Sequence, residues 1–204
     1  MAYSYSKANF YSVKDDTKYF LDANIWLKIL QPKLESSTKD LEYRKLFEKI
    51  AENTKCKIVL PALIMSEVIN RILREVHMGK FVSKMRKSSP SFTPDKHFYK
   101  NVFRISPEFK IAYSLVCDEI KNYHSTIELL NDGLGVDFKF KHILKDLPSG
   151  LDFNDHYYYQ LCKKNNFVLI TDDKDFWVED IEIVTMSSSL LDRHIALLVK
   201  DKTD

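Results

Sequence analysis

Three aspartates follow an apolar segment near the end of the sequence. The stretch "FVLITDDKDFW", residues 167–177, runs through apolar and β-favouring residues into Asp172, Asp173 and Asp175. Carboxylates this close repel one another unless a positive charge lies between them. The chemistry open to such a cluster is the binding of a hard cation, which prefers oxygen ligands. The alternative is a solvated turn without a function.

Three more acidic residues lie at positions where a sheet could bring them to the same edge. Asp22 follows the apolar "KYFL", Glu67 interrupts an apolar helical stretch, and Asp155 lies near the start of a helix. Each also has a structural interpretation. Asp22 could cap the helix that follows it, and Asp155 could form a capping box with Asp152. Glu67 could pair with Arg71 one helical turn later.

The combination of these acids favours a metal site, because carboxylates gathered at one edge repel without a cation. Mg²⁺ or Mn²⁺ takes oxygen ligands, keeps several waters, and needs only one or two carboxylates per ion. The acids predicted to converge are Asp22, Glu67, Asp155 and Asp173. His156 is the one histidine or cysteine beside them, so the pattern does not favour zinc. Hydrolysis of a phosphodiester is the chemistry that such an ion supports.

Length and composition indicate a folded protein that is rich in helices. The chain has 204 residues, of which 45% are hydrophobic and 29% charged, with four glycines and six prolines. A single domain is expected from this length. The formal net charge of +2 does not by itself indicate nucleic-acid binding, so local charge has to decide that question.

Cysteine usage and apolar runs predict a cytoplasmic protein that does not enter a membrane. Cys56, Cys117 and Cys162 form no C-x-x-C motif, so neither a disulfide framework nor a zinc knuckle is indicated. The first twenty residues contain no apolar segment of the secretory type. The longest apolar run, "IVLPALIM", is far shorter than a membrane span.

Strands and helices alternate along the predicted chain. The predicted strands are 18–22, 57–60, 167–171 and 181–186, and the predicted helices begin at Asn24 and cover 38–53, 61–76, 106–130, 153–166 and 190–199. This alternation predicts an α/β fold with a parallel central sheet flanked by helices, whose sites lie beyond the carboxyl ends of the strands. Because residues 79–104 break the pattern, we expect one domain over residues 1–204 with a helical insertion at about 79–148.

Three segments resemble the acidic motifs of the PIN-domain nucleases, a family that includes VapC-type and related PIN-like ribonucleases. They are, in the family's order, "YFLDANIWLKIL", "VLPALIMSEVINRIL" and "DHYYYQLCKKNNFVLITDDKDF". Asp155 precedes Thr171 by sixteen residues, which is the helix-plus-strand spacing of the family. The family's T-x-D-x-D-F ending is met by residues 171–176. The resemblance covers roughly residues 18–75 and 150–186.

The resemblance implies a role for each matching residue. The acidic pocket that binds Mg²⁺ or Mn²⁺ corresponds to Asp22, Glu67, Asp155 and Asp173. Supporting positions correspond to Asn24, Thr171 and Asp175, and Asp175 is carried over as a further metal ligand as well. Asp172 falls on a variable position, so it ranks below Asp173 and counts as a supporting residue only. Glu67 and Asp155 are 88 positions apart, which is more than in the compact toxin members of the family.

The region between the motifs indicates how a substrate could bind. Seven basic residues outnumber the single acid, Asp95, and alternate with aromatic residues; they are Lys80, Lys84, Arg86, Lys87, Lys96, Lys100 and Arg104. Basic side chains can hold phosphates while aromatic faces stack on unpaired bases. Equal weight goes to a solvated basic loop whose aromatic residues close a small core of their own.

Together these features predict a Mg²⁺- or Mn²⁺-dependent endoribonuclease that uses water as its nucleophile. Two alternatives stay open: a DNA-directed nuclease of the same fold, and a non-catalytic PIN-like module for RNA binding or scaffolding. The toxin of a toxin–antitoxin pair is a narrower version of the same prediction. The predicted partners are therefore an RNA substrate, an antitoxin or other regulatory protein, and a second copy of the chain.

Overall fold

The apolar segments form parallel strands in the computed structural model, which describes residues 2–31, 37–130 and 150–200. The chain divides into two compact units. We call Met1–Ala62 together with Ser125–Asp204 the sheet unit, and Leu63–His124 the helical unit.

The sheet confirms the predicted α/β class with a parallel central sheet flanked by helices. Within the described residues it has six strands in the order β1-β6-β5-β2-β3-β4, and every pairing is parallel. The strands are β1 (Ser4–Lys7), β2 (Lys18–Leu21), β3 (Lys57–Pro61), β4 (Ile127–Leu130), β5 (Val168–Ile170) and β6 (Glu182–Thr185).

The central strands form because their residues are apolar on both faces. Nearly all side chains of β2, β3 and β5 are buried, which is the pattern of parallel strands covered by helices on each side. The register places Leu21 of β2 opposite Ile170 of β5. These two strands therefore end at the same level, and the residues that follow them emerge at one edge of the sheet.

Four helices of the sheet unit complete its core, and two of them carry residues of the predicted site. They are α1 (Ala23–Leu30), α2 (Thr38–Glu52), α7 (Phe153–Asn165) and α8 (Ser188–Lys200). The first of them begins directly after β2. Asn166, at φ 54°, ends α7 with the left-handed residue that commonly closes a helix, and β5 starts two residues later.

The helical unit contains the remaining described helices: α3 (Ala62–Ile72, whose first residue closes the sheet unit), α4 (Met78–Ser88), α5 (Phe98–Asn101) and α6 (Pro107–Lys121). A single wide turn, Leu73–His77, joins α3 to α4. Ser106 caps α6 by accepting a hydrogen bond from the Phe109 N–H at 3.2 Å.

Three parts of the predicted element order were wrong. The edge strand β1 was not foreseen, because its "SYSK" sequence has no apolar run. Residues 127–130 were assigned to a long helix but form β4, whose pairing with β3 outweighs their helical pattern. Of the predicted break at 79–104, residues 79–88 continue α4, because Gly79 lowers helix stability by only about 1 kcal/mol, whereas residues 89–97 form turns and irregular structure.

The predicted domain organisation stays a prediction. The helical unit, Leu63–His124, overlaps the expected insertion at about 79–148, but residues 131–149 of that insertion lie outside the described residues. None of the helices that the structure describes is long and apolar enough to cross a bilayer.

Candidate functional site

Asp22 lies at the carboxyl end of β2, in the middle of the sheet. Its backbone N–H donates to the Ile170 carbonyl at 3.0 Å, which extends the pairing of β2 and β5 by one residue. Its side chain is only 8% exposed. Although Asp22 precedes α1, its carboxylate makes no capping hydrogen bond to that helix. The structural interpretation as a cap therefore does not account for this buried charge.

The Asp22 carboxylate accepts hydrogen bonds from two neighbouring side chains. The Thr171 hydroxyl donates to Oδ2 at 2.7 Å, and the Asn24 amide donates to the same oxygen at 2.8 Å. Hydrogen bonds to an ionised acceptor are stronger than neutral ones. Asn24 and Thr171, the supporting residues of the prediction, thus touch the first acid directly.

Thr171 joins the acid after β2 to the acid after β5. Its buried hydroxyl, which donates to Asp22, also accepts from the Asp173 N–H at 3.0 Å. The next hydrogen bond along the chain runs from the Asp175 N–H to Asp173 Oδ1, at 2.9 Å. The T-x-D-x-D sequence is thereby a chain of hydrogen bonds between alternate residues. It sets the backbone path of the turn that carries Asp173.

Asp155 lies in the first turn of α7 and is half-buried. The Asp152 carboxylate caps α7 by accepting from the Asp155 N–H at 3.0 Å, so this part of the predicted capping box is present. Burial, and after it the charges of Asp152, Asp22 and Asp173, raise the pKa of Asp155 from 3.8 to about 7. The acids contributed by β2, by α7 and by the turn after β5 therefore act on one another electrostatically.

Asp172 has a positive partner within the chain, contrary to the expectation of an uncompensated cluster. Lys28 Nζ lies 3.0 Å from Asp172 Oδ2 and 2.8 Å from Asp40 Oδ1. The Tyr43 hydroxyl lies 3.0 Å from the other oxygen of Asp172. Of the acids after β5, Asp172 thus belongs to a packed ion-pair network, which agrees with its lower rank in the sequence.

Tyr43 braces the backbone of the same turn. Its hydroxyl lies 3.1 Å from the Thr171 carbonyl as well as close to Asp172, and it accepts from the Met186 N–H at 2.6 Å. Burial raises the pKa of Tyr43, so the hydroxyl stays protonated and donates to one of these acceptors at a time. Sequence reasoning missed both Tyr43 and Lys28, because neither type nor spacing links them to residues more than a hundred positions away.

The other two predicted ligands, Glu67 and Asp175, have different surroundings. Glu67 lies on α3 in the helical unit, with its Oε1 4.0 Å from Arg71 Nη1, while Arg71 makes its shorter contact, 3.1 Å, with Glu75. Asp175 is exposed and lines a cavity of about 430 Å³. The assignment of Glu67 and Asp175 to a metal site stays a prediction.

The residues at the sheet edge have the chemistry of a site for a hard cation. Within the described residues, no three Asp, Glu, His or Cys side chains converge closely enough to enclose a metal ion. Mg²⁺, however, keeps several waters and needs only one or two carboxylates. Asn24 Oδ1 is a buried acceptor without a hydrogen-bond partner among the described residues, beside the carboxylate of Asp22. Anionic and amide oxygens at one point fit Mg²⁺ or Mn²⁺.

The predicted basic residues are all exposed on the helical unit: Lys80, Lys84, Arg86, Lys87, Lys96, Lys100 and Arg104. Lys84 pairs with Glu108 at 3.1 Å, and Arg86 donates to the Phe92 carbonyl at 3.1 Å. The aromatic residues between them pack inward instead. Phe98 and Phe103 form a small core with Val82, and further aromatic and methionine side chains pack against it. The second interpretation, a separate small core, is therefore correct for the aromatic residues.

Comparison with known proteins gives a match for most of the chain. The model of the PIN domain family matches residues 19–178. The chain is similar in structure to VapBC2 from Rickettsia felis, in a crystal structure with a DNA fragment from their promoter, at 15% identity and a TM-score of 0.47, covering 83% of this chain and 98% of that one. It is also similar to PAE2754 from Pyrobaculum aerophilum at 15% identity and a TM-score of 0.44, covering 89% and 97% respectively. No curated protein matches the sequence.

Proposed function

Because this chain belongs to the PIN domain family, whose members are generally nucleases, we propose that it is an endoribonuclease dependent on Mg²⁺ or Mn²⁺. The single observation that carries the proposal is the hydrogen-bonded link from the Asp22 carboxylate through the Thr171 hydroxyl to Asp173, beside the half-buried Asp155. Asp22 and Asp173, after burial and Asp152, help to raise the pKa of Asp155 to about 7. A cation bound among the three acids would relieve that repulsion.

Each acid has a distinct part in the proposed site. Asp22 supplies a carboxylate that is held rigid by Thr171 and Asn24, so its position is set before any ligand binds. Asp155 and Asp173 complete the set of ligands, and Glu67 is proposed to contribute from α3. A bound Mg²⁺ or Mn²⁺ would supply Lewis acidity toward the phosphate and lower the pKa of the attacking water.

The protein residues also contribute to the site in ways that do not depend on which ion binds. Asp155 takes up and releases a proton near neutral pH, so in the ion-free site it is protonated part of the time. Thr171 and Tyr43 hold the turn after β5 in place through the contacts described above. We propose that this prior arrangement keeps the cost of reorganisation low when substrate and cation bind.

RNA is the proposed substrate, and the exposed basic residues of the helical unit are its proposed track. The spacing of Lys80, Lys84 and Lys87 places them on one side of α4, where they can contact successive phosphates. Because the aromatic residues nearby are packed inward, this track offers charge without base stacking. We therefore expect it to bind without strong sequence preference.

Labelled RNA and DNA pools, incubated with the purified protein and either Mn²⁺ or EDTA, test the proposal. We expect RNA to be cleaved only with the metal, and Asp22→Asn to lower the rate by orders of magnitude while leaving the circular dichroism spectrum unchanged. Asp192→Asn is the matched control, since Asp192 is exposed on α8. Cleavage by Asp22→Asn at the parent rate would falsify the site. Cleavage of DNA alone, or RNA binding without cleavage, would instead support one of the two alternative functions.

The narrower role as a toxin is tested separately. We propose an antitoxin or other regulatory protein as partner, with a cytoplasmic location and a homodimer as further expectations. If the chain is a toxin, its expression arrests growth and expression of Asp22→Asn does not. Equal growth with both proteins would exclude the toxin role while leaving the nuclease proposal intact.

A further inference from the structure

A cavity of about 430 Å³ adjoins the turn that carries Asp173. It is lined by residues from four parts of the sheet unit, among them Tyr3, Lys174, Trp177, Glu179 and Arg193. Its volume lies within the range of about 300–1,000 Å³ that is typical of small-molecule sites. Tyr3, Trp177, Glu179 and Arg193 lie outside the acidic motifs, whereas Lys174 lies within the third of them.

The aromatic wall of the cavity holds a guanidinium group in place. The Trp177 ring stacks on Tyr3 and Tyr5, with ring centres 4.4 and 5.0 Å apart. The guanidinium carbon of Arg193 lies 4.3 Å from the centre of the Trp177 ring. An arginine stacked on an aromatic face keeps the N–H groups at its edge available for a phosphate. The wall therefore presents a positioned phosphate-binding group to the cavity.

The charges around the cavity suit a ligand that carries hydrogen-bond donors as well as an anionic group. In the part of the chain that the structure describes, Lys174 and Arg193 form no ion pair, although Asp175 and Glu179 line the same cavity. The two carboxylates weaken the binding of a bare anion. They can also accept hydrogen bonds from a base that carries an amino group. A nucleotide, in which a phosphate is joined to such a base, can interact with both the basic and the acidic side chains of the cavity.

We propose that this cavity binds one nucleotide of a single-stranded RNA, with its phosphate on Arg193 and Lys174 and its base along the wall formed by Tyr3 and Trp177. The identification of the ligand rests on the proposed nuclease function. Asp175 joins the cavity to the acidic site, because its N–H donates to Asp173 Oδ1 at 2.9 Å. The bound nucleotide therefore neighbours the bond to be cleaved and influences which RNA sequences are cut.

Binding of cytidine 5′-monophosphate in the presence of EDTA tests the proposal without any metal or cleavage. Trp177 lines the cavity, whereas Trp26, the other of the two tryptophans, is only 1% exposed in the core. We expect a saturable change in tryptophan fluorescence, with cytidine and inorganic phosphate each binding at least about tenfold more weakly.

Arg193→Gln and Lys174→Gln each remove one proposed phosphate contact. We expect each to weaken binding of the nucleotide about tenfold or more, since a hydrogen bond to a charged group contributes about 1.5–3 kcal/mol. Lys49→Gln is the control, because Lys49 is an exposed lysine on α2. In the cleavage assay with RNA, Arg193→Gln should raise KM more than it lowers kcat.

Two results would overturn the inference. One is the absence of a saturable signal, or equal affinities for the Arg193→Gln and Lys49→Gln proteins. The other is that the Arg193→Gln protein binds the nucleotide as well as the wild type does but no longer binds a purified protein partner. That result would make the cavity a docking site for protein. Nucleotide binding by a protein that cleaves no RNA would contradict the proposed nuclease function and leave the nucleotide site standing.

Discussion

The acidic edge of the sheet unit and the basic face of the helical unit hold their charges in opposite ways. At the sheet edge, Asp22 is buried and its carboxylate accepts two side-chain hydrogen bonds, so its position is set by its neighbours. On the helical unit, Lys80 and Lys87 are exposed on α4 at the ends of long, flexible side chains. A buried charge responds strongly to the loss of a single partner, whereas exposed charges act together and are screened by salt.

Single substitutions should therefore have large effects at the sheet edge and small effects on the basic face. At the sheet edge, one hydroxyl or one carboxylate alters the whole site, because each polar group there has few alternative partners. On the basic face, a neighbouring lysine or water replaces what is lost, and only combined changes have a measurable effect. The same contrast predicts pH dependence at the first region and salt dependence at the second.

Thr171→Val should have the largest effect on stability. Valine keeps the shape but removes the hydroxyl that donates to Asp22 and accepts from the Asp173 N–H. We expect a loss of about 1–3 kcal/mol in the free energy of unfolding, or roughly 2–10 °C in Tm. Thr171→Ser retains the hydroxyl and serves as the control in thermal melts. If the valine and serine proteins melt together, Thr171 does not hold the two acids in place.

Asp155→Asn should alter how stability depends on pH in the metal-free protein. Because the pKa of Asp155 is raised from 3.8 to about 7 on folding, the folded state binds more protons between these values, and stability falls as pH rises through them. Asparagine removes this loss, so the variant should exceed the wild type in Tm at pH 8 and match it near pH 4. Melts in EDTA across that range, beside Asp192→Asn, measure the difference.

At pH 8, Mn²⁺ should make the wild type melt at a higher temperature than Asp155→Asn, which reverses the order of their Tm values without metal. The ion binds the ionised carboxylate, so it should stabilise the wild type more at pH 8 than at pH 5, and should stabilise Asp155→Asn less at either pH. Parallel curves for the wild type and Asp155→Asn, with equal responses to Mn²⁺, would remove Asp155 from the proposed ligands.

The combined change of Lys84, Arg86 and Lys87 to Ser should have the smallest effect, confined to RNA binding. Each lost phosphate contact removes roughly one unit or slightly less from the slope of log affinity against log salt. Filter binding at several salt concentrations measures that slope, and the response of Tm to Mn²⁺ should be unchanged. An unaltered slope would show that these residues are not the RNA track. Substrate selection would then lie at the sheet edge or in the cavity beside it.

Local sequence pattern was enough to predict the central strands and the acids that follow them. Strands β2, β3 and β5 are apolar on both faces, so their composition alone identifies them. Asp22 follows β2 directly and Asp173 lies three residues after the end of β5, and parallel strands present their carboxyl ends at one edge. Local pattern was sufficient in each case, because the signal lies within a few consecutive residues.

Features that depend on partners far apart along the chain could not be predicted from local pattern and were recognised from the folded chain. β1 has a polar sequence, and the apolar β4 continues a helical pattern; both are edge strands whose hydrogen bonds come from β6 and β3. Lys28 neutralises Asp172 across 144 positions, and Arg193 stacks on Trp177 beside the N-terminal Tyr3. Such contacts leave no periodic trace in the sequence, because a charge or a ring finds its partner through the fold and not through its spacing along the chain.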